Sequence, residues 1–222
     1  MFDMLKWLPE NVSTFGAEID FLFYVIYYIT AVTFLLVVIA MVAFLIVYRR
    51  REGRRARYMH GNTALEITWT VVTTVIFVIL AVMSGPLWGK IKQQVPPSNV
   101  QVRVTGKQFN WEILYPGPDG QFGTADDLQM DNELHVPVNR VVQVFLTSKD
   151  VIHSFFLPNL RLKQDALPGR VIQAWFEAIK PGVYEIPCAE LCGFGHSGML
   201  GHLTVHSAED YDKWVKEQWP PG

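Results

Sequence analysis

The chain divides by the period of its apolar positions. From Phe21 to Tyr48 it runs about 28 residues without a charged side chain, and from Ile67 to Trp88 about 22 more. At roughly 1.5 Å of rise per residue, each run is long enough to cross a hydrocarbon core of ~30 Å. Two transmembrane helices are predicted over about 21–48 and 67–88, the second stopped at a membrane interface by Gly85, Pro86 and Gly89. After Pro96 and Pro97 the period changes to two, at Val100, Val102 and Val104, at Val136 and Val138, and at Val141, Val142, Val144 and Phe145. Turn-forming clusters separate these runs at Gly117 to Gly120, Val138 to Arg140, Leu167 to Gly169 and Lys180 to Gly182. Short strands punctuated in this way predict a β-sandwich. The segment Ala208 to Trp219, with Ser207 as its N-cap, reads as a short amphipathic helix closing the domain. The expected organisation is an N-terminal segment and helical hairpin over residues 1–95, followed by an all-β domain over 96–222.

Charge orients this plan. Half of the 222 residues are hydrophobic and 18% charged, with a net charge of −2. The chain therefore lacks the concentrated basic face that neutralising nucleic-acid phosphates requires. The arginines gather instead between the two apolar runs, where Arg49, Arg50, Arg51, Arg54, Arg55 and Arg57 stand in one short loop, against Lys6 alone in the N-terminal tail. By the positive-inside rule the loop is cytoplasmic, and both termini and the β-domain lie on the outer side of a bacterial plasma membrane. A cleaved signal peptide fits less well, because the positive charges follow the first apolar run instead of preceding it.

The chemistry is concentrated in one segment. Cys188, Cys192, His196 and Met199 place two thiols, an imidazole and a thioether within a short stretch that Gly193, Gly195 and Gly198 allow to bend tightly. Soft sulfur ligands with imidazole select a soft or borderline metal such as copper and exclude calcium or magnesium at that locus. A blue-copper site uses one Cys, two His and a weak Met, which leaves the second Cys without a task, whereas two thiolates can bridge two coppers. The second imidazole must come from elsewhere, and His153, after the predicted strand Val141 to Leu146, is the best candidate. Two other readings remain open from spacing: a disulfide between Cys188 and Cys192, and a structural zinc, which would leave Met199 unexplained. His60, His135, His202 and His206 read as ordinary histidines.

These residues resemble subunit II of cytochrome c oxidase, the subunit that carries the dinuclear copper centre CuA. The resemblance spans nearly the whole chain. It rests on the arginine-containing hairpin, the segment Gly106 to Trp111, the segment Asp150 to Ser154, Leu162 to Arg170 with Asp165, and above all the Cys188 to Met199 loop. It implies a cupredoxin-like domain in which His153, Cys188, Cys192, His196 and Met199, with the backbone carbonyl of Glu190, hold two coppers. It implies further that the Glu190 side chain helps bind a magnesium ion shared with catalytic subunit I. Electrons would arrive from cytochrome c and leave to a haem of that partner, which carries the haems and CuB and reduces oxygen with proton translocation. Phe109 and Trp111 look like the patch where electrons enter, with Asp150 offering a carboxylate to a basic cytochrome. Phe109 stands where the family usually has Trp.

Glu66 has two readings. Thr63 to Glu66 is a capping-box pattern at the start of the second helix. The same position matches the family's glutamate at the cytoplasmic mouth of a proton path, and an ionisable group at a membrane edge is a functional candidate. No C-x-x-C-H occurs, so no covalently attached haem is expected and the donor is a separate protein. The acidic, glycine-rich stretch 117–127 reads as a solvated hairpin loop, with cation binding as the lesser alternative. A CuA subunit of a nitric oxide reductase is the nearest rival, and a membrane-tethered copper carrier a rival of another class. Glu66 and Glu190 favour the oxidase, while a quinol oxidase relative would lack the copper ligands.

Overall fold

A computed structural model describes residues 7–56, 58–98 and 100–220, so Lys6 and Arg57 lie outside the described residues. The chain forms two units, a helical one and a β-domain, each described by itself.

In the helical unit, α1 spans Gly16–Val47 and α2 spans Thr63–Trp88. Helix α1 starts earlier than the apolar run because Glu18 sits in its first turn, where the helix's positive end favours a carboxylate. Apolar side chains such as Phe34, Leu36, Phe77 and Val82 stand mostly exposed along both helices, as lipid-facing residues do. The cap of α2 differs from the expected box. Asn62, one residue ahead of Thr63, is the N-cap, its side-chain oxygen accepting the Leu65 N–H at 3.2 Å. Pro86 does not stop α2 as expected. The Gly89 N–H bonds the carbonyls of both Gly85 and Pro86, and the chain passes into a π-helical turn over Gly89–Gln93.

Among the described residues the β-domain has ten strands: β1 Val100–Lys107, β2 Asn110–Tyr115, β3 Leu128–Asp131, β4 Glu133–Pro137, β5 Val141–Ser148, β6 His153–Leu157, β7 Leu162–Ala166, β8 Ile172–Glu177, β9 Gly182–Pro187 and β10 Leu200–His206. One sheet has the order β3-β2-β1-β5-β8, a second β4-β10-β9, and β6 and β7 form a two-stranded sheet. The period-two positions face inward: Val100, Val102 and Val104 of β1 are buried beside Val142, Val144 and Leu146, their partners on parallel β5. Trp111 ties the sheets together. Its ring is fully buried, and its Nε1–H donates to the Ile186 carbonyl of β9 at 3.1 Å. Helix α3, Ala208–Gln218, is capped by Ser207, whose Oγ accepts the Asp210 N–H at 3.1 Å. Its Trp214 stacks on His135, 5.0 Å between centroids, beside His206.

Two segments that the sequence grouped with the anchor pack on this domain. The Val12 N–H donates to Asn159 O and the Ile179 N–H to Val12 O, both at 2.9 Å, while Phe15 is buried edge-on against Trp175. In the linker, Ile91 O accepts the Trp175 Nε1–H at 3.0 Å. Residues 7–17 and the stretch from Lys90 therefore belong with the sandwich, because backbone groups there pair with it. In the 117–127 loop, Asp119, Asp126 and Asp127 accept N–H groups of Gln121, Asp119 and Gly123.

Trp111→Phe should keep the fold while removing the Nε1–H bond to the Ile186 carbonyl and part of the buried ring, a cost of about 1–3 kcal/mol. Urea unfolding of the variant is expected to show the midpoint lowered with the slope unchanged.

Candidate metal centre

The loop between β9 and β10 is closed at its base as a hairpin would be, with the Cys188 N–H bonding Met199 O at 3.1 Å. Strand β6 lies alongside it, Phe155 bridging to Cys188 and the Ala189 N–H donating to Ser154 O at 2.9 Å. These bonds bring His153, the first residue of β6, to the loop from 35 residues away in sequence. Within the loop, a tight turn places the His196 N–H on Gly193 O and the Met199 N–H on His196 O, each at 3.1 Å.

Five donor side chains converge as a result. Cys188 Sγ lies 3.8 Å from His153 Nδ1 and 3.9 Å from Cys192 Sγ. Cys192 Sγ is in turn 3.5 Å from His196 Nδ1 and 3.9 Å from Met199 Sδ. The Glu190 carbonyl sits 3.3 Å from Cys188 Sγ, while its side chain points to solvent. His153 is fully buried, and Cys188, Cys192 and Met199 are no more than 8% exposed. Both cysteines are free thiols, so the disulfide reading is not realised here. Burial pushes the Cys192 thiol up to about 11, and the neighbouring Cys188 sulfur adds to that. A second thiolate so close in so apolar a place needs a cation. Soft donors with imidazole fit copper, and Met199, unexplained by zinc, is part of the cluster.

The surroundings set the geometry of the donors. His153 Nε2 bonds Asp150 Oδ1 at 2.8 Å, which orients the ring and turns Nδ1 toward Cys188. Burial would raise the Asp150 carboxyl, but hydrogen bonds from His153, Gln108 N–H and Val151 N–H outweigh it and hold it below the usual carboxylate range. With Oδ1 on His153 and Val151 and Oδ2 on Gln108, this carboxylate steadies the site while its side chain stays 31% exposed. On β2, the buried Glu112 is likewise engaged, by Lys107 at 2.6 Å and by Lys149.

The β1–β2 turn grips the loop. Gln108 Nε2 donates to Cys192 O at 2.5 Å, and the Phe109 ring lies on the loop backbone so closely that a Cβ at Gly195 would stand 2.5 Å from it. A Cβ at Gly106 would come within 2.8 Å of the His153 ring. Phe109 remains 38% exposed beside the fully exposed Phe194, whereas Trp111 is fully buried, edge-on to His153 at 5.9 Å and to Phe155 at 5.5 Å. Phe109 therefore lies outside, in the β1–β2 turn, and Trp111 inside, on β2. Glu66 is exposed in the first turn of α2, in the other unit. Sequence reasoning gave Gln108 and Gly106 no role, since their meaning lies in contacts with residues far along the chain.

A sandwich that follows two membrane-spanning helices and gathers a largely buried Cys₂His₂Met cluster around one hairpin loop defines a membrane-anchored, cupredoxin-like protein with a candidate metal site. Residues 100–205 match the model of the cytochrome c oxidase subunit II periplasmic domain, and residues 5–87 that of its transmembrane domain. The alternative cytochrome c oxidase subunit 2 of Bradyrhizobium diazoefficiens is 30% identical over 98% of this chain and 86% of its own length. Cytochrome c oxidase subunit 2 of Cereibacter sphaeroides is 33% identical over 87% of this chain and 73% of its own length. The probable subunit 2 of Rickettsia bellii is 38% identical over 72% of this chain, which spans 64% of that relative. The crystal structure of the periplasmic domain of subunit II of cytochrome oxidase from Bradyrhizobium japonicum matches with 35% identity and a TM-score of 0.50, over 56% of this chain and 96% of that one. The chain belongs to the cytochrome c oxidase subunit II family, subunits of haem-copper oxidases.

Asp150→Asn should loosen the His153 ring and lower copper affinity by about 10- to 100-fold. Competition of the variant against a copper chelator measures this, and an affinity equal to that of the unaltered protein would remove Asp150 from the site.

Proposed function

We propose that this chain is the electron-accepting subunit of a proton-translocating cytochrome c oxidase. The observation that carries the proposal is the convergence of two buried thiols, two imidazoles and a thioether around one hairpin loop. His153, Cys188, Cys192, His196 and Met199, with the Glu190 carbonyl, would hold a dinuclear copper centre. When bound, that centre supplies one-electron transfer with little geometric change.

The protein's own groups prepare the site for that work. Burial of the sulfurs excludes water and exchange partners, which disfavours the copper-carrier reading, where the metal must be accessible. Asp150 fixes the His153 ring, and Gln108 ties the turn that bears Phe109 to the Cys192 carbonyl. Phe109, exposed on the loop, is the residue that a docked donor would meet, while Trp111 supports His153 from within. The donor is a cytochrome c or another small protein of the outer compartment. The exposed Glu190 side chain would reach a magnesium ion shared with subunit I, whose haems and CuB reduce oxygen. Glu66, at the arginine-loop end of α2, would admit protons from the cytoplasm. With the arginine loop in the cytoplasm, by the positive-inside rule, the β-domain would face the periplasm from a bacterial inner membrane. Glu66 and Glu190 together favour an oxidase over a nitric oxide reductase.

In the assembled oxidase, Cys192→Ser is expected to abolish oxidation of a reduced soluble cytochrome, while oxygen reduction persists with a small reductant that feeds the partner subunit directly. Undiminished cytochrome oxidation by that variant would contradict the proposal, and turnover with nitric oxide in place of oxygen would favour the reductase.

A further inference from the structure

We infer that the loop joining α1 and α2 is a binding site for the phosphate headgroup of an anionic lipid. The positive-inside rule accounts for the number of charges in the loop but not for their arrangement or their chemistry. Topology is set by Lys and Arg alike, yet the loop from Arg49 to Arg57 contains arginine and no lysine. Arginine's planar fork of donors matches a phosphate two bonds at a time, which an ammonium cannot do.

The fold gathers these forks. The Arg54 N–H bonds Arg51 O at 3.2 Å, and Gly53 takes φ +75°, a left-handed conformation that turns the loop back on itself. Arg49, Arg50, Arg51, Arg54 and Arg55 then line a single cavity of about 630 Å³. Among the described residues none of these five guanidinium groups has a hydrogen-bond or ion-pair partner, and Glu52, the one carboxylate in the loop, pairs with none of them. Five like charges around one cavity repel unless an anion sits among them.

Position names the anion's source. The cavity begins where α1 ends at Val47, and Tyr48 and Met59 give it an apolar border. Tyr is favoured at the headgroup level of a bilayer, so the phosphate of a lipid and the start of its acyl chains both find a match. The inference is independent of the copper reading and of which face of the membrane the loop occupies.

The test uses the full chain in nanodiscs of phosphatidylcholine containing a minor fraction of cardiolipin, with retained lipid identified by native mass spectrometry. Cardiolipin is expected to be enriched about tenfold over its share of the bilayer, as two or more arginines at a headgroup supply. Arg50→Gln with Arg54→Gln, which leaves the other loop arginines in place, should remove most of that enrichment while the circular dichroism of the helices is unchanged. Retention of phosphatidylcholine as readily as cardiolipin would overturn the inference, as would enrichment unaffected by the double substitution. Displacement of the lipid by millimolar inorganic phosphate would also overturn it, because the site would then serve a free anion.

Discussion

The backbone bond from the Cys188 N–H to the Met199 carbonyl, 3.1 Å long, is the constraint on which the rest of the structure depends. It closes the β9–β10 loop at its base, so that the residues between must turn back over the end of the sandwich and bring their sulfurs together. Antiparallel pairing of β9 with β10, Pro187 opposite Leu200, sets the register of that closure. A slip of one residue would turn Cys188 or Met199 to the opposite face. The sandwich therefore acts as a jig for the site, and its fully buried members, Trp111, Phe155 and Ile186, lie directly behind the ligands. A rigid mount is what electron transfer requires, since ligands that do not move leave little to reorganise.

A metal in this loop would be coupled to the fold through charge as well as geometry. The Cys192 thiol, which burial pushes up, and a histidine fixed by a carboxylate make an arrangement that a bound cation would stabilise. The loop of α1 and α2 shows the same logic in the opposite sign, with guanidinium groups gathered around a cavity and paired with no carboxylate among the described residues. In both places the chain concentrates like groups that only a ligand reconciles.

Much of this was legible in the sequence. The apolar runs of α1 and α2 and the alternation of Val100, Val102 and Val104 carry their own period, and the spacing of Cys188, Cys192, His196 and Met199 carries the ligand chemistry. His153 followed from its place after a strand. What could not be read depends on contacts between distant residues. The start of α1 was hidden because Asp20 interrupts the uncharged run, and Pro86 was misread because a π-helical turn re-pairs the carbonyls around it. The attachment of residues 7–17 to the sandwich rests on backbone bonds of Val12 with Asn159 and Ile179, which leave no pattern in composition. Phe109 and Trp111 read alike in sequence, yet the first sits in the turn and the second on the inward face of β2. Asp150 looked like a surface carboxylate, and only the fold shows it holding His153.

Electron paramagnetic resonance of the copper-loaded chain, with copper counted per polypeptide, tests the central claim most directly. The account predicts two coppers per chain and a hyperfine pattern shared over two equivalent nuclei, as bridging thiolates of Cys188 and Cys192 require. A signal from a single copper, or tight binding of zinc with no shared-valence spectrum, would contradict it.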